Sequence, residues 1–332
     1  MTLSPEQLRR ELREAGIANA AIDAAWPQWW SEEAAESTSA TAELTFTVAR
    51  RLGLSPRALF DGSPQFLWRD ETKFKNLKSR SDDEEAALAS FGTAIGRSAL
   101  IATRGEALQA RVTAITLRDA ILGQSDCVTL LDLLSFCWSV GIPVLQLRVF
   151  PLRQKRMHAM TVQVDKRYAV LLGFDTKYSA QAAYNIAHEI GHIALGHLDE
   201  SGSLMEMGDP MRIDDSDEEE AAADRFALEL LTGREDPQIL PDISSYSSRQ
   251  LASAARKASE KERIDPGVIA LCLGHATGQW DRSFGALKMI PPGEQDVARA
   301  INDLAAMQFD WDALSYSSQE YLSRVMGRNN AA

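Results

Sequence analysis

Residues 187–197 read Ala-His-Glu-Ile-Gly-His-Ile-Ala-Leu-Gly-His, and this stretch contains the motif His-Glu-x-x-His. In an α-helix, residues four apart lie one turn above each other, so His188 and His192 can direct their imidazoles at one metal ion. Glu189 lies about 100° around the helix, beside the coordination position that the histidines leave open. The apolar flanks predict a mostly buried helix, and Gly191 would let another backbone approach. The motif therefore indicates a catalytic zinc site.

The alternative interpretation of this motif is a helix with two hydrogen-bonded core histidines and a surface glutamate. The chain has five histidines in 332 residues. A chance match is uncommon, about 1 in 100 if positions are independent. A buried motif of this kind without a metal would leave several polar groups in need of partners, so we favour the metal site.

The composition is typical of a globular protein with about two or three domains: 45% of the residues are hydrophobic and 25% are charged. The net charge of −12 argues against a general nucleic-acid binder, because neutralising phosphates requires clustered Lys and Arg, although a local basic face stays open.

The cysteines and the absence of targeting patterns favour a cytoplasmic protein. Cys127, Cys137 and Cys272 are odd in number and lack Cys-x-x-Cys spacing, which predicts free thiols in a reducing compartment. The N-terminus has no basic-then-apolar signal pattern. No run of about 18 apolar residues occurs, so we expect no membrane span.

The N-terminal region, residues 1–105, is expected to be helical. The run from Glu43 to Gly62 predicts a helix, a short turn and a second helix, and it resembles part of an Xre/Cro-type DNA-binding domain. The second helix is very short and offers Arg57 alone as a reader of base edges, so a structural helical pair is favoured over DNA contact. The basic segment 63–83 could meet nucleic acid or an acidic partner, but a solvated linker face is favoured.

The middle region, residues 106–235, combines helices with short strands. A buried helix from about residue 130 is expected to end at Gly141, and strands are predicted over 142–147, 157–164 and 168–174. Because the last strand directly precedes the metal helix, we expect an extended peptide to add to its free edge. The C-terminal region, residues 236–332, carries further helical patterns. The fold class is α+β, mostly helical, with a small three-stranded sheet.

Two histidines do not complete a zinc site, and one candidate for a third ligand is His197. It follows His188 by nine residues. On a continuous helix that spacing places the two on opposite sides, about 180° apart, unless Gly196 ends the helix.

The second candidate is the acidic helix predicted over 218–231. Glu219 and Glu220 are both admissible as a third metal ligand from its inward edge. Asp224 lies one turn after Glu220 and can accept a hydrogen bond from a ligand imidazole. The alternative interpretation is that these acids only favour the helix dipole, as we expect for Asp217 and Glu218.

These two motifs together resemble the ImmA/IrrE family of zinc metallopeptidases, over roughly residues 125–235. The residues that carry the resemblance are His188-Glu189-Ile190-Gly191-His192 with Leu195-Gly196-His197, and Glu220-x-x-Ala223-Asp224-x-Phe226-Ala227-x-x-Leu230-Leu231. The chain departs from the family at Ala182-Ala183-Tyr184-Asn185, where Arg-x-x-Phe-Thr is frequent, and at Thr232-Gly233, where the usual ending has Pro.

The resemblance implies a zincin-like metallopeptidase core at 106–235, with Zn²⁺ held by His188, His192 and Glu220. It also implies an endopeptidase that cleaves Xre-type repressors or antitoxins in stress, mobile-element or phage-defence responses. Some members of the family carry their own helix-turn-helix, of which residues 43–62 would be a remnant.

The expected chemistry assigns Glu189 as the general base that takes a proton from water and returns it to the leaving amine. No oxyanion donor can be identified, since a buried structural role is favoured for both Tyr178 and Tyr184. Two other classes stay open: a regulator that binds DNA or a partner through a zinc-stabilised, inactive domain, and a small-molecule hydrolase. The retained Glu189 favours an enzyme, because a structural zinc needs no base beside an open position.

Overall fold

The computed structural model describes residues 3–68, 72–75, 82–105, 112–152, 158–198, 203–206, 218–240 and 245–328. Within these ranges the chain forms fourteen α-helices, two short 3-10 helices and five strands, which confirms a mostly helical α+β fold. Parts of the predicted basic segment 63–83, the start of the strand predicted at 157, and Asp217 lie outside the described residues.

The helices in chain order have the following bounds: α1 Pro5–Glu14, α2 Asn19–Ala25, α3 Thr38–Leu52, α4 Pro56–Phe60, α5 Asp82–Ile101, α6 Ala114–Leu122, α7 Leu130–Ser139, α8 Ser179–Leu195, α9 Glu218–Thr232, α10 Ser248–Glu262, α11 Pro266–Thr277, α12 Trp280–Leu287, α13 Val297–Gln308 and α14 Tyr316–Val325. The expected domain boundaries near 105 and 235 fall in the loops after α5 and α9. Buried apolar side chains from all three expected regions belong to one cluster, and the division into domains stays a prediction.

Helices α3 and α4 form the predicted helix, turn and helix. Helix α3 begins at Thr38, earlier than expected, because the Ser37 side chain accepts a hydrogen bond from the Ala40 amide at 3.3 Å. The turn residue Gly53 has a φ of 71° and lies so close to α5 that an added Cβ would sit 2.6 Å from the carbonyl carbon of Ser90. The pair is thus packed tightly onto α5. Arg57 is exposed, and DNA contact stays a prediction.

The strands are β1 Thr72–Lys75, β2 Val144–Gln146, β3 Ala159–Val164, β4 Arg167–Leu172 and β5 Ser203–Glu206, and they form one sheet in the order β1-β5-β3-β4-β2. The three predicted strands are confirmed as the contiguous group β3-β4-β2. Two further short strands, β5 and β1, extend the sheet beyond β3. Strand β3 pairs antiparallel with β4 and β5, whereas the β2–β4 and β1–β5 pairs are parallel.

Successive side chains of β3 point to opposite faces of the sheet, and each face contacts a different helix. Val162 faces α5, where Gly96 makes room for it, since a Cβ on Gly96 would lie 2.8 Å from the Val162 Cβ. Gly92 makes room for Met160 in the same way. Thr161, between them, faces the opposite side and contacts α8. One residue of this strand is thereby directed at the metal helix.

The prediction that a peptide adds to a free edge of the strand before the metal helix is wrong. That strand, β4, is paired with β3 on one side and with β2 on the other. The outer edge of β2 is also engaged: the Gln146 amide donates to the Asn302 side chain at 2.9 Å, and Asn302 donates back to the Gln146 carbonyl at 2.8 Å. A C-terminal helix, α13, thus covers this end of the sheet.

The cysteines are free, as predicted. Burial raises the pKa of the Cys137 thiol to about 12 and that of Cys127 to about 11, so both stay protonated at neutral pH. No helix within the described ranges is long and apolar enough to cross a membrane.

A buried ion pair joins the N-terminal and C-terminal helices. The Arg51 Nη2 atom of α3 lies 2.8 Å from a carboxylate oxygen of Glu320 in α14, and the two side chains are 4% and 1% exposed. Arg51 also donates to the Ala25 carbonyl, and Arg324 contacts Glu320 at 2.9 Å. Burial lowers the pKa of Arg51, whereas the contact with Glu320 raises it. This pairing compensates for charges that would otherwise be buried alone.

Removing one partner of this pair should be strongly destabilising. We expect Glu320→Ala to lower the free energy of unfolding by about 3–5 kcal/mol, because it leaves the Arg51 guanidinium buried without its counter-charge. Chemical denaturation followed by circular dichroism measures the change. The control is Asp23→Ala in the more exposed Arg9–Asp23 pair, which should cost about 1 kcal/mol or less. Equal effects of the two substitutions would contradict this assignment.

Candidate metal centre

Helix α8 carries the motif, and the side chains of His188, Glu189 and His192 are all fully buried. The helix lies unusually close to α9. A Cβ atom placed on Gly191 would be 3.1 Å from the carbonyl oxygen of Ala223 and 3.2 Å from its Cα. The predicted role of Gly191 is therefore confirmed: glycine at this position lets the backbone of the second helix approach the metal helix.

Three donor atoms converge where α8 and α9 meet. The Nε2 atoms of His188 and His192 are 2.9 Å apart, and oxygens of Glu220 lie 3.5 Å and 3.4 Å from them. Zinc bonds of about 2.0–2.2 Å in a tetrahedron space the ligand atoms about 3.3–3.6 Å apart. The two distances to Glu220 lie in this range, whereas the distance of 2.9 Å between the two Nε2 atoms is shorter, so the rings would have to move apart slightly around a bound ion. This buried group can hold a metal ion.

The three glutamates at the start of α9 lie in different environments. Glu220 is 5% exposed and belongs to the three-donor group, whereas Glu219 is half-buried and does not. Glu218 is exposed at the first turn, where a carboxylate favours the helix dipole. Of the two glutamates that the spacing left open, the structure places Glu220 and not Glu219 in the group that could hold a metal ion, and its role as a ligand stays a prediction.

Asp224 fixes the ring of His188. Its Oδ1 atom lies 2.8 Å from Nδ1 of His188 and accepts a hydrogen bond from the Tyr184 hydroxyl at 2.7 Å. Since a carboxylate accepts, Nδ1 of His188 carries the proton and Nε2 presents its lone pair to the metal position. Tyr184 therefore has a structural role through Asp224, as favoured from the sequence. The Tyr178 hydroxyl donates to Glu294 instead, at 3.3 Å.

Glu189 is held from the sheet. The hydroxyl of Thr161 in β3 donates a hydrogen bond to Oε2 of Glu189. This contact is not predictable from the sequence pattern, because Thr161 and Glu189 are 28 residues apart and lie in a strand and a helix. Alternation along β3 could have indicated that Thr161 shares one face with residues 159 and 163, but not which helix covers that face.

His197 lies behind His192. Helix α8 ends at Leu195, and Gly196 adopts a left-handed conformation with a φ of 78°, so the chain turns back toward the helix. The Nδ1 atoms of His197 and His192 are 2.8 Å apart. The expectation that His197 faces away from the motif holds only for a continuous helix. Its ring contacts the side of His192 remote from the three donor atoms, and it is outside the donor group.

The far end of α9 is held by a buried arginine. Arg118 of α6 donates to the carbonyls of Leu230 and Leu231 at 3.0 Å and 2.8 Å, and to the Arg263 carbonyl at 2.7 Å. These carbonyls lie in the last turn, where α9 cannot satisfy them internally. Burial lowers the pKa of Arg118, and a cation here complements the helix dipole. The helix that supplies Glu220 is therefore held at its C-terminal end.

No family model, curated protein or solved structure matches the chain in comparisons with known proteins. The resemblance to the ImmA/IrrE family thus stays a prediction based on the two motifs.

Enlarging Gly191 should separate the two helices and weaken the metal group. We expect Gly191→Val to cost about 1–3 kcal/mol of stability, because its methyl groups would meet the backbone of Ala223. Glu220 would move away from the histidines, so zinc affinity should fall as well. Competition with a chromophoric chelator measures it, and Leu195→Val, at an exposed position of the same helix, serves as the control. Unchanged affinity in Gly191→Val would show that the close approach is not required.

Proposed function

We propose that the chain is a zinc-dependent endopeptidase of the ImmA/IrrE type. The observation that carries this proposal is the buried Glu189 carboxylate, which directly follows His188 on the helix that carries both histidines and accepts a hydrogen bond from Thr161. A site that only stabilises the fold would gain nothing from burying a further carboxylate next to its ligands, because an unused buried charge is costly. A general base needs this arrangement.

The donor set supports zinc as the metal. Two imidazole nitrogens and one carboxylate, with a further position left for water or substrate, are a ligand set found in zinc hydrolases. Each ring has a hydrogen-bond partner at Nδ1, which leaves Nε2 as the ligand atom. A bound zinc ion would lower the pKa of water to about 7 and polarise a substrate carbonyl.

The chain's own residues account for the proton transfers. Glu189 takes the proton from the attacking water and passes it to the leaving amine, which cannot depart as an anion. Thr161 donates a hydrogen bond to one carboxylate oxygen and so restricts the orientation of the carboxylate. Asp224 keeps His188 in the tautomer that binds metal, and Tyr184 fixes Asp224 in turn.

The test of the proposal is Glu189→Gln. This variant keeps the shape of the side chain and the three ligands, so zinc content measured by atomic absorption should equal that of the wild type. Cleavage should fall roughly 100- to 10,000-fold, because no group accepts the proton of water. Both proteins are incubated with a lysate of the source cells, and new protein N-termini are identified by mass spectrometry. Fragments produced equally by both proteins would refute Glu189 as the base.

Cleaved proteins found in that experiment also decide the substrate class. The resemblance favours repressors or antitoxins with a helix-turn-helix, which are cytoplasmic proteins. New N-termini within such a protein support this class, and new N-termini confined to other proteins reject it. Zinc binding without any cleavage would favour the alternative, a regulator that binds DNA or a partner through a zinc-stabilised domain.

Thr161 should influence turnover without influencing metal binding. On a peptide spanning the identified cleavage site, we expect Thr161→Val to lower kcat roughly 10- to 100-fold, because the hydrogen bond that orients Glu189 is lost. KM and zinc content should stay unchanged, since the hydrogen bond of Thr161 is made to Glu189, which is outside the three-donor group. Thr161→Ser keeps the hydroxyl and should restore most of kcat. A valine variant with normal kcat would show that this contact is dispensable.

A further inference from the structure

The end of helix α8 has a hydrogen-bond pattern that brings the residue after Gly196 back to the metal motif. The Gly196 amide donates to the Ile193 carbonyl at 3.3 Å, and the His197 amide donates to the His192 carbonyl at 3.1 Å. These two bonds, with a left-handed glycine between them, define a Schellman motif. In this motif the residue after the glycine packs against the residue five positions earlier, and here these two residues are His197 and His192.

The contact between the two rings is a hydrogen bond rather than simple packing. Their Nδ1 atoms are 2.8 Å apart, so one nitrogen donates and the other accepts. A His192 ring that binds metal through Nε2 must carry its proton on Nδ1. His192 is therefore the donor, and His197 accepts at Nδ1. The rings are inclined at 67°, which lets the Nδ1–H bond of His192 point at the acceptor lone pair.

We propose that His197 is a positioning residue that fixes the tautomer and orientation of His192 for metal binding. The inference rests on the proposed zinc site and extends it to the second histidine ligand. His188 already has its own partner, the Asp224 carboxylate at 2.8 Å. With His197 included, both ligand rings are held at Nδ1 and both offer Nε2 to the metal. The second partner is an imidazole, which accepts the hydrogen bond without adding a buried negative charge to those of Glu189 and Glu220.

Zinc affinity of the purified full chain tests this role. His197→Phe keeps an aromatic ring but has no acceptor, so we expect zinc to bind roughly 10- to 100-fold more weakly, the range typical for loss of such a partner. His197→Asn places an amide oxygen near the position of Nδ1 and should stay within about 3-fold of the wild type. The control is His275→Phe, the same substitution at an exposed histidine of α11. Affinities are measured by competition with a chromophoric chelator.

A second readout follows the metal geometry directly. In the cobalt-loaded wild type, a tetrahedral site gives intense visible absorption, and we expect His197→Phe to alter its position and intensity while His197→Asn leaves it unchanged. Gly196→Ala provides an independent variant, because its φ of 78° strains alanine and moves His197 without changing the ring. It should also weaken zinc binding. Circular dichroism of each metal-free variant verifies that the fold is intact.

The outcomes separate this inference from the proposed function. If wild type and His197→Phe bind zinc equally, or if His197→Asn is as weak as His197→Phe, the hydrogen bond has no role and the inference is wrong. If the variants behave as expected but the wild type cleaves no protein, the positioning role stands and the peptidase proposal fails. A wild type that binds no zinc overturns both.

Discussion

The close approach of α8 and α9 is the constraint on which the metal centre depends. Two histidines on one helix offer two nitrogens, and a third donor must come from an element that lies almost in backbone contact. Gly191 makes this possible, since the space a side chain would need there is taken by the backbone of Ala223. At that separation, Glu220 reaches both imidazoles and Asp224, one turn later, reaches the back of His188. The glycine at position 191 thus allows both Glu220 and Asp224 to reach the histidines of α8.

The polar side chains of the motif are buried, and they therefore need hydrogen-bond partners within the protein. The side chains of His188, His192, Glu189 and Glu220 are all buried, and polar groups buried without partners would cost several kcal/mol. Partners come from three other places: the strand β3 through Thr161, the helix α9 through Asp224, and the end of α8 through His197. The buried Arg51–Glu320 pair meets the same cost by pairing opposite charges. In the candidate metal centre, the hydrogen bonds at Nδ1 instead let the Nε2 atoms of His188 and His192 converge with the Glu220 carboxylate.

The limits of sequence reasoning follow from distance along the chain. Helical periodicity sufficed for His188 and Gly191, because neighbours on one helix are fixed by local geometry. Glu220 required the family resemblance, since two positions fitted the spacing. Thr161 was not predictable, because alternation fixes a face but not the element that covers it. His197 could have been predicted: a glycine before it signals a Schellman motif, which pairs it with His192. The prediction of a free edge on β4 was wrong, because the order of strands in a sheet depends on pairing between segments distant in sequence. The short strands β1 and β5 were not predicted for the same reason.

The position of His197 also bears on whether the centre is catalytic or structural. A structural zinc site is closed by four protein ligands, and the histidine nearest to the motif in sequence would be the natural fourth. The two nitrogens of an imidazole point in widely different directions, so a group bound to Nδ1 of His192 cannot share the metal at Nε2. His197 is bound at Nδ1 and so supports a ligand rather than serving as one. Within the described ranges the donor group comprises three residues, and the carboxylate beside it belongs to Glu189, which α8 and Thr161 hold in place. If these three residues bind the metal and Glu189 acts as the base, as we propose, the arrangement fits the requirements of hydrolysis better than those of a structural zinc site.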